Sequence, residues 1–228
     1  MVSKDFDAST SPPDANTPAQ RGKQRARSHT DKTARKTQLL QAAAELHTER
    51  DLEWTMLEVA AKAGLAKGTT YLYFRTKEEL LLELLTADLE TWFQDLATNL
   101  NPPPPDLASA IAQSIAARPR MVELIAVQAS ILEQNLSPEA AERFKTFLLH
   151  RSQRLAPQLE ALIPGCDGIE VLQWLNALVI GLAQLSQPSR VVTAILEQPR
   201  MHALRVHFQP ALERSLRALF AGIGQEQR

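Results

Sequence analysis

The sequence predicts an all-α protein of about nine helices, on three observations. Apolar residues recur at three- and four-residue spacing, capping residues precede these runs, and prolines or glycines follow them. No segment alternates like a strand and no stretch is repeated. A single cysteine among 228 residues excludes an internal disulfide scaffold, and the spacing of histidines and cysteine suits no zinc site. We therefore predict no bound metal and no cofactor.

The N-terminal segment is rich in Ser, Thr, Pro, Asp and Ala and contains almost nothing to bury. We expect residues 1–30 to form a disordered arm. The stretch from Arg21 to Lys36 contains seven basic residues and one acidic residue, so it would attract a polyanion. A solvated arm that binds nothing is the plainer interpretation of such a run. Periodic sequence begins at about Thr33, and we predict a first amphipathic helix from there to about Arg50.

Two threonines begin helices with a glutamate three residues later, the pattern of a capping box. Thr55 with Glu58 begins a second helix, and Thr76 with Glu79 begins a long helix that has two apolar faces and ends before the prolines at 102–105. Five further helices are predicted from Asp106 to Ala117, Pro119 to about Asn135, Ser137 to Leu162, Ile169 to Gln187, and Gln209 to Ile223.

The segment from Val171 to Ser189 has no charged residue, but polar residues and Pro188 interrupt it too often for a membrane span. We interpret it as a helix covered by protein on both faces. The N-terminus has no apolar stretch that could be a signal sequence, so we predict a cytoplasmic protein with no membrane partner.

The stretch from Thr55 to Phe74 contains two short helical patterns separated by Gly64, which can adopt the left-handed conformation of a tight turn. This spacing is typical of a helix-turn-helix, whose second helix enters the DNA major groove. Corners in ordinary helical bundles share the spacing, but here the second helix is surrounded by potential hydrogen-bond donors. These donors are Lys67, Thr69, Thr70, Tyr71, Tyr73, Arg75 and Lys77.

The motifs AAKAG, KGTTYLYF and TKEELL, in that order, resemble the DNA-binding domain of the TetR/AcrR family of bacterial transcriptional regulators. The resemblance covers Thr33 to about Leu85. It implies a homodimer of nine-helix subunits, each with a three-helix DNA-binding head over 31–79 and a ligand-binding and dimerisation body over 80–228. It also implies DNA contacts by Thr55, Lys67, Gly68, Thr69, Thr70, Tyr71, Tyr73 and Lys77.

Three residues at the start of, or within, the second helix of the helix-turn-helix depart from the pattern of that family. Ala66 occupies a position that is usually a capping Ser or Thr, at an expected cost of about 1 kcal/mol. Thr70 occupies a usually apolar position, and Leu72 one that is often aromatic or His. The loop before Thr55 also lacks the usual glycine and is one residue shorter than expected.

Polar residues within apolar helices of the body indicate an effector site, since each needs a partner or a ligand. We predict a pocket bounded by Trp92, Gln128, Trp174 and Asn176, suited to a small, mostly apolar effector. Alternatively, the amide side chains at these positions bond to one another or to a partner subunit, and this interpretation is equally open.

The last two predicted helices have the largest apolar surfaces, and the resemblance implies that they build a four-helix interface between two subunits. The predicted interface residues are Leu178, Gly181, Leu182, Leu185, Leu212, Leu216 and Leu219. A two-fold dimer would read an inverted repeat in double-stranded DNA.

We predict a repressor that a ligand releases from its operator and that is associated with the bacterial nucleoid when bound to DNA. An activator or a ligand-independent regulator fits the same residues. An alternative of another class is a helical small-molecule carrier or enzyme in which the Gly64 corner is only structural. No nucleophile–base pair, glycine-rich phosphate loop or paired carboxylates occur at useful spacing, so we predict no enzyme.

Overall fold

A computed structural model describes residues 18–128, 132–187 and 190–223, with side chains over 31–128, 133–187 and 191–223. Regular structure in these ranges is helical throughout, which confirms the all-α class. The described residues form ten α-helices, one more than expected for the chain, with 3-10 turns at Leu132–Asn135 and Pro199–Leu204. The α-helices in chain order are α1 (Pro18–Arg50), α2 (Met56–Lys62), α3 (Lys67–Tyr73), α4 (Lys77–Asn99), α5 (Leu107–Ala116), α6 (Pro119–Val127), α7 (Pro138–Leu162), α8 (Gly168–Ser186), α9 (Arg190–Leu196) and α10 (Phe208–Ile223).

The first helix begins much earlier than the predicted start at Thr33. Residues 18–30 are helical, which corrects the expected disorder there, whereas residues 1–17 of the predicted arm lie outside the described residues. Ala, Gln, Arg and Lys dominate this stretch, and all four are good helix formers. Burial of the apolar residues near Leu39 fixes the later turns, and a helix once formed is extended at little cost.

The sixth helix ends at Val127, and the chain does not continue as one α-helix to Asn135 as predicted. The Gln128 carbonyl accepts the Glu133 amide at 2.9 Å, and the Gln128 side chain also donates to the Glu133 carboxylate at 2.9 Å. These two bonds join the end of α6 to the 3-10 segment Leu132–Asn135. The short helix α9 was not expected, since it has too few turns for a recognisable apolar period.

The long helix α4 connects the two parts of the molecule. It packs against α1 in the head and against α5, α6 and α7 in the body. Both of its apolar faces are buried, as predicted, and the buried residues run from Leu80 near its start to Leu96 near its end. The head and the body therefore share one continuous helix.

The eighth helix packs against α6, α7 and α10 through one face only. Val171, Leu175 and Val179 are buried on this face, whereas Trp174 is 52% and Leu185 is 60% exposed. The prediction that protein covers both faces is therefore not met within one subunit. By length and composition α8 is also the one candidate membrane span in the described part of the chain, which is weak evidence for a membrane, and one face of it packs against α6, α7 and α10.

Candidate DNA-binding site and effector cavity

The first helix of the helix-turn-helix begins with the predicted capping box. The Thr55 amide donates to Glu58 Oε2 at 2.8 Å, and Thr55 Oγ1 accepts the Glu58 amide at 3.3 Å. After α2 the chain turns at Gly64, whose φ of +67° is the left-handed value expected for glycine. Val59 and Ala60 are buried, and α2 packs against α3. The local geometry of the corner is therefore as predicted.

The recognition helix α3 has one buried side, formed by Thr70 and Phe74. Thr70 is 0% exposed, so it cannot reach DNA, and its prediction as a DNA contact is wrong. Residue 70 lies one turn before Phe74, and both side chains point into the core of the head. Within the described residues, Thr70 Oγ1 has no hydrogen-bond partner. A hydroxyl therefore occupies a site that suits an apolar group.

The outer side of α3 has four exposed residues, Lys67, Gly68, Tyr71 and Leu72, and Arg75 is exposed two residues after the helix ends. A Cβ atom added at Gly68 would meet nothing within 4 Å, so this glycine is not required by packing within the chain. Leu72 is 81% exposed, more than any other large apolar side chain in the described ranges. Ala66 precedes α3 without a side-chain cap, as predicted. This face is open to a partner.

Two further predicted contact residues lie at the margin of this outer face. Thr69 is half-buried, and its amide bonds the Ala66 carbonyl at 2.9 Å. Tyr73 is also half-buried and lines a cavity of about 110 Å³ between α3, α4 and α7, together with Glu79 and Arg143. Thr55 is exposed at the start of α2. All three remain predicted DNA contacts.

The side chain of Lys77 has a different role from the predicted binding of phosphate. Its Nζ donates to the carbonyls of Leu52 at 2.5 Å and Trp54 at 2.6 Å, and it lies 4.3 Å from the centre of the Trp54 ring. Burial lowers the pKa of this ammonium below its ordinary value. The prediction for Lys77 is therefore corrected: it clamps the loop between α1 and α2.

This clamp accounts for the unusual loop between α1 and α2. In this loop, which lacks the expected glycine, Asp51 has a φ of +52°, a conformation that costs a non-glycine residue free energy. The Trp54 indole donates to the Asp51 carbonyl at 2.9 Å, and Lys77 holds the next part of the loop. The missing glycine was the available signal, but sequence alone did not identify the lysine that compensates for it.

The predicted effector pocket is only partly formed. Trp92 and Asn176 line one apolar cavity of about 50 Å³ between α4, α5, α6 and α8. Trp174 instead lines a groove of about 570 Å³ at the start of α8 and the end of α10, and Gln128 caps α6 and bonds Glu133. The four-residue pocket is therefore wrong as proposed, because α8 turns Trp174 to its exposed side.

The remaining walls of the small cavity are apolar and come from all four helices. The Trp92 indole donates to Ser114 Oγ at 3.1 Å, which satisfies its one polar atom. Asn176 contributes the polar margin. The other lining residues are Leu89, Ile115, Met121, Ile125, Leu172, Leu175 and Val179.

Comparison with known families agrees with this two-part architecture. The family model described as "Tetracyclin repressor-like, C-terminal domain" matches residues 86–227, and the model described as "Bacterial regulatory proteins, tetR family" matches residues 39–84. The chain belongs to the TetR family. It is a TetR-family transcriptional regulator with a helix-turn-helix head and a helical body. No curated protein matches the chain as a relative.

Two solved structures have the same TetR-family fold. FadR from Thermus thermophilus, a transcriptional repressor in complex with lauroyl-CoA, superposes with a TM-score of 0.54 at 20% identity, over 81% of this chain and 92% of that one. The fatty acid degradation regulator FadR from Bacillus halodurans gives a TM-score of 0.51 at 17% identity, over 82% and 97%. At these identities the likeness concerns the fold.

The predicted dimer residues of this TetR-family chain fall into two groups. Gly181 and Leu185 are exposed, and Leu178, Leu182 and Leu219 are half-buried. Leu212 and Leu216 are 0% exposed, and α10 packs against α5 and α8, so these two residues belong to the core of the subunit. Their assignment to the interface is therefore wrong. Sequence reasoning assigned exposed Trp174 to the effector site and left it out of this surface.

The TetR-family head is joined to the body by polar contacts that were not predicted. Lys36 on α1 forms an ion pair with Glu83 on α4 at 2.8 Å. Ser137 donates to Glu79 Oε1 at 2.9 Å, so Glu79 contacts the body. These contacts link residues far apart in sequence, which local patterns cannot reveal. Thr76 Oγ1 accepts the Glu79 amide at 3.1 Å as predicted, but Glu79 Oε2 accepts the Arg75 amide at 3.0 Å, so the second half of the expected capping box is not formed.

Proposed function

We propose that this regulator is a dimeric repressor that binds an inverted-repeat operator and is released by a small, mostly apolar effector. The single observation that carries the DNA-binding part is the division of α3 into a buried and an open side. Thr70 and Phe74 hold the helix to the head, whereas Lys67 and Tyr71 on the helix and Arg75 just after it are exposed. The proposed role is binding rather than catalysis, in the cytoplasm and on the nucleoid when bound to DNA.

The outer face of α3 combines groups suited to the two kinds of DNA contact. Lysine and arginine side chains and a tyrosine hydroxyl can bind phosphates, whereas contacts with base edges need close approach in the major groove. Gly68 has no side chain and no neighbour in the direction that a Cβ would take, so it leaves room for that approach. We therefore place Lys67, Gly68 and Thr69 near base edges and Tyr71 near the DNA backbone.

An exposed apolar stripe on α8 supports the proposed dimer. Trp174, Leu178, Gly181 and Leu185 recur at alternating four- and three-residue spacing on one side of the helix. Trp174 is 52% and Leu185 is 60% exposed in the single subunit, and a second copy would cover them. A two-fold axis at this face would present two recognition helices to two half-sites.

The cavity that holds Trp92 suggests the chemical class of the effector. Its walls are apolar, and the Thermus thermophilus relative is complexed with lauroyl-CoA, so an apolar chain such as an acyl group is a suitable ligand. The cavity has a volume of about 50 Å³, whereas ligand pockets usually have roughly 300–1,000 Å³. Effector binding would therefore have to separate the helices that surround the cavity.

Helix α6 offers a direct connection from this cavity to the head. Met121 and Ile125 line the cavity, and Glu123 between them bonds His47 on α1. If an effector displaces α6, the contact with the head changes as well. We propose that the effector favours a head orientation that no longer matches the operator, which is a shift of population between two states.

A ligand-independent regulator is the second candidate, and the small volume of the same cavity favours it. The two candidates differ in one measurable property, because only the first predicts that an apolar ligand changes DNA affinity. Lauroyl-CoA and free lauric acid are suitable first probes. Unchanged operator affinity with a panel of apolar compounds that includes these two would favour the second candidate.

The experiment that tests the proposal is selection from a randomised double-stranded DNA pool with the full-length protein. At ~150 mM salt, non-specific phosphate attraction is weak enough for specific sites to compete. We expect an inverted repeat whose half-sites lie about one DNA turn or more apart. Recovery of a single half-site would overturn the dimeric arrangement. A folded protein that enriches no sequence would overturn specific DNA binding.

A further inference from the structure

The most exposed large apolar side chain in the described part of the chain lies on the recognition helix. Leu72 is 81% exposed, and on α3 it lies opposite the buried side formed by Thr70 and Phe74. Gly68 is one turn earlier on the same face, and no atom lies within 4 Å of the position of its missing Cβ. The methyl groups of Leu72 are therefore left uncovered by its own chain.

The groups around Leu72 define the partner that this surface suits. Lys67 at the start of α3 and Arg75, two residues beyond its end, are exposed, and the hydroxyl of Tyr71 adds a polar group. A leucine placed among cations suits a polyanion that also has apolar points on its surface. Double-stranded DNA has this combination in its major groove, where the C5-methyl groups of thymine lie between two lines of phosphates.

We propose that Leu72 reads a thymine in each half-site through the C5-methyl group. Leucine has no donor or acceptor, so it cannot recognise a base edge by hydrogen bonds, and the thymine methyl is the apolar group that the major groove offers. Gly68 lets the backbone of α3 approach closely enough for this contact. The inference rests on the proposed DNA-binding function and adds a residue that sets sequence preference.

Removal of the C5-methyl group of thymine alone tests this contact. In the selected operator, each thymine is replaced in turn by deoxyuridine, and dissociation constants are measured for the wild type and for Leu72→Ala. For the wild type, we expect one position per half-site at which the replacement weakens binding about four-fold. Leu72→Ala should bind the thymine and deoxyuridine operators equally, at about the affinity of the wild type for the deoxyuridine operator.

A control and the opposing outcomes make the test decisive. Leu149 is 50% exposed on α7, so Leu149→Ala removes the same group outside the recognition helix and should keep the full deoxyuridine effect. The proposal is overturned if no thymine position matters to the wild type, or if Leu72→Ala retains the effect. If the wild type binds the operator tightly but no thymine replacement weakens binding, Leu72 makes another contact and the proposal is overturned. Failure to select any operator would instead overturn the DNA-binding function, and this inference with it.

Discussion

The Nε2 atom of His47 lies 3.0 Å from Oε2 of Glu123 and so joins the first helix of the head to α6 of the body. His47 is 3% exposed, and its other ring nitrogen has no hydrogen-bond partner among the described residues. Glu123 is therefore the polar partner that compensates for burial of this ring. The pair lies beside the cavity residues of α6, which makes it a direct link between the proposed effector site and the head.

Replacement of Glu123 by Ala should destabilise the protein, because it leaves a buried imidazole without that partner. We expect the free energy of unfolding to fall by about 1–3 kcal/mol. Urea denaturation followed by circular dichroism measures the change. Glu142→Ala removes an exposed glutamate from α7 and should have little effect. Equal stability of the Glu123→Ala variant and the wild type would show that the contact contributes nothing.

Replacement of Lys77 by Ala should affect folding more than the salt dependence of DNA binding. The variant loses two hydrogen bonds from a charged donor, so we expect a loss of about 1–3 kcal/mol in unfolding free energy. The slope of log Kd against log salt should stay the same, because we expect the Lys77 Nζ to remain bound to the Leu52 and Trp54 carbonyls. Lys67→Ala should show the reverse pattern, with a slope lowered by about one unit. If Lys77→Ala lowered the slope by that amount, the loop clamp would not be its main role.

Replacement of Thr70 by Val should stabilise the head and leave DNA binding unchanged. Valine has nearly the same shape and removes a buried hydroxyl that lacks a partner. We expect the free energy of unfolding to rise by about 1 kcal/mol, measured by denaturation. Thr69→Val is the matched control, since we expect that neighbour to contact DNA. A large loss of DNA affinity in Thr70→Val alone would contradict the assignment of these two residues.

Replacement of Leu185 by Glu should weaken the proposed dimer. A charge at this position would have to be buried against the second copy, so we expect the dimer dissociation constant to rise about ten-fold or more. Sedimentation equilibrium measures it directly. Leu149→Glu places the same charge on α7, at a side chain that is 50% exposed, and should leave association unchanged. If both variants associated like the wild type, the dimer would have to use another surface.

Sequence predicted the parts of this molecule that depend on neighbours along the chain. Thr55 and Glu58 form their capping box, and Gly64 adopts the left-handed turn, since both patterns are local and their chemistry is specific. Prolines and caps also placed the ends of α4, α7 and α8 within a residue or two. The helix-turn-helix could therefore be identified before its geometry was known.

Several of the errors concern contacts between distant segments. An apolar stripe on a helix looks the same whether its own subunit or a second copy covers it, so Leu212 and Leu216 were assigned to the interface although α10 buries them in the core. The partners of Lys77 are carbonyl groups, which the identities of the residues do not reveal. Gln128 and Trp174 failed as pocket residues because the end of α6 and the rotation of α8 depend on tertiary packing.

The uninterrupted course of α4 converts small changes of angle into displacements on the scale of DNA. A helix that begins with Lys77 at the head and passes the cavity at Leu89 and Trp92 is a lever about 35 Å long, at 1.5 Å per residue. A tilt of about 5° over that length moves one end by about 3 Å, close to the spacing of adjacent base pairs. A small change of helix angle inside the body would therefore suffice to bring a recognition helix out of step with its half-site.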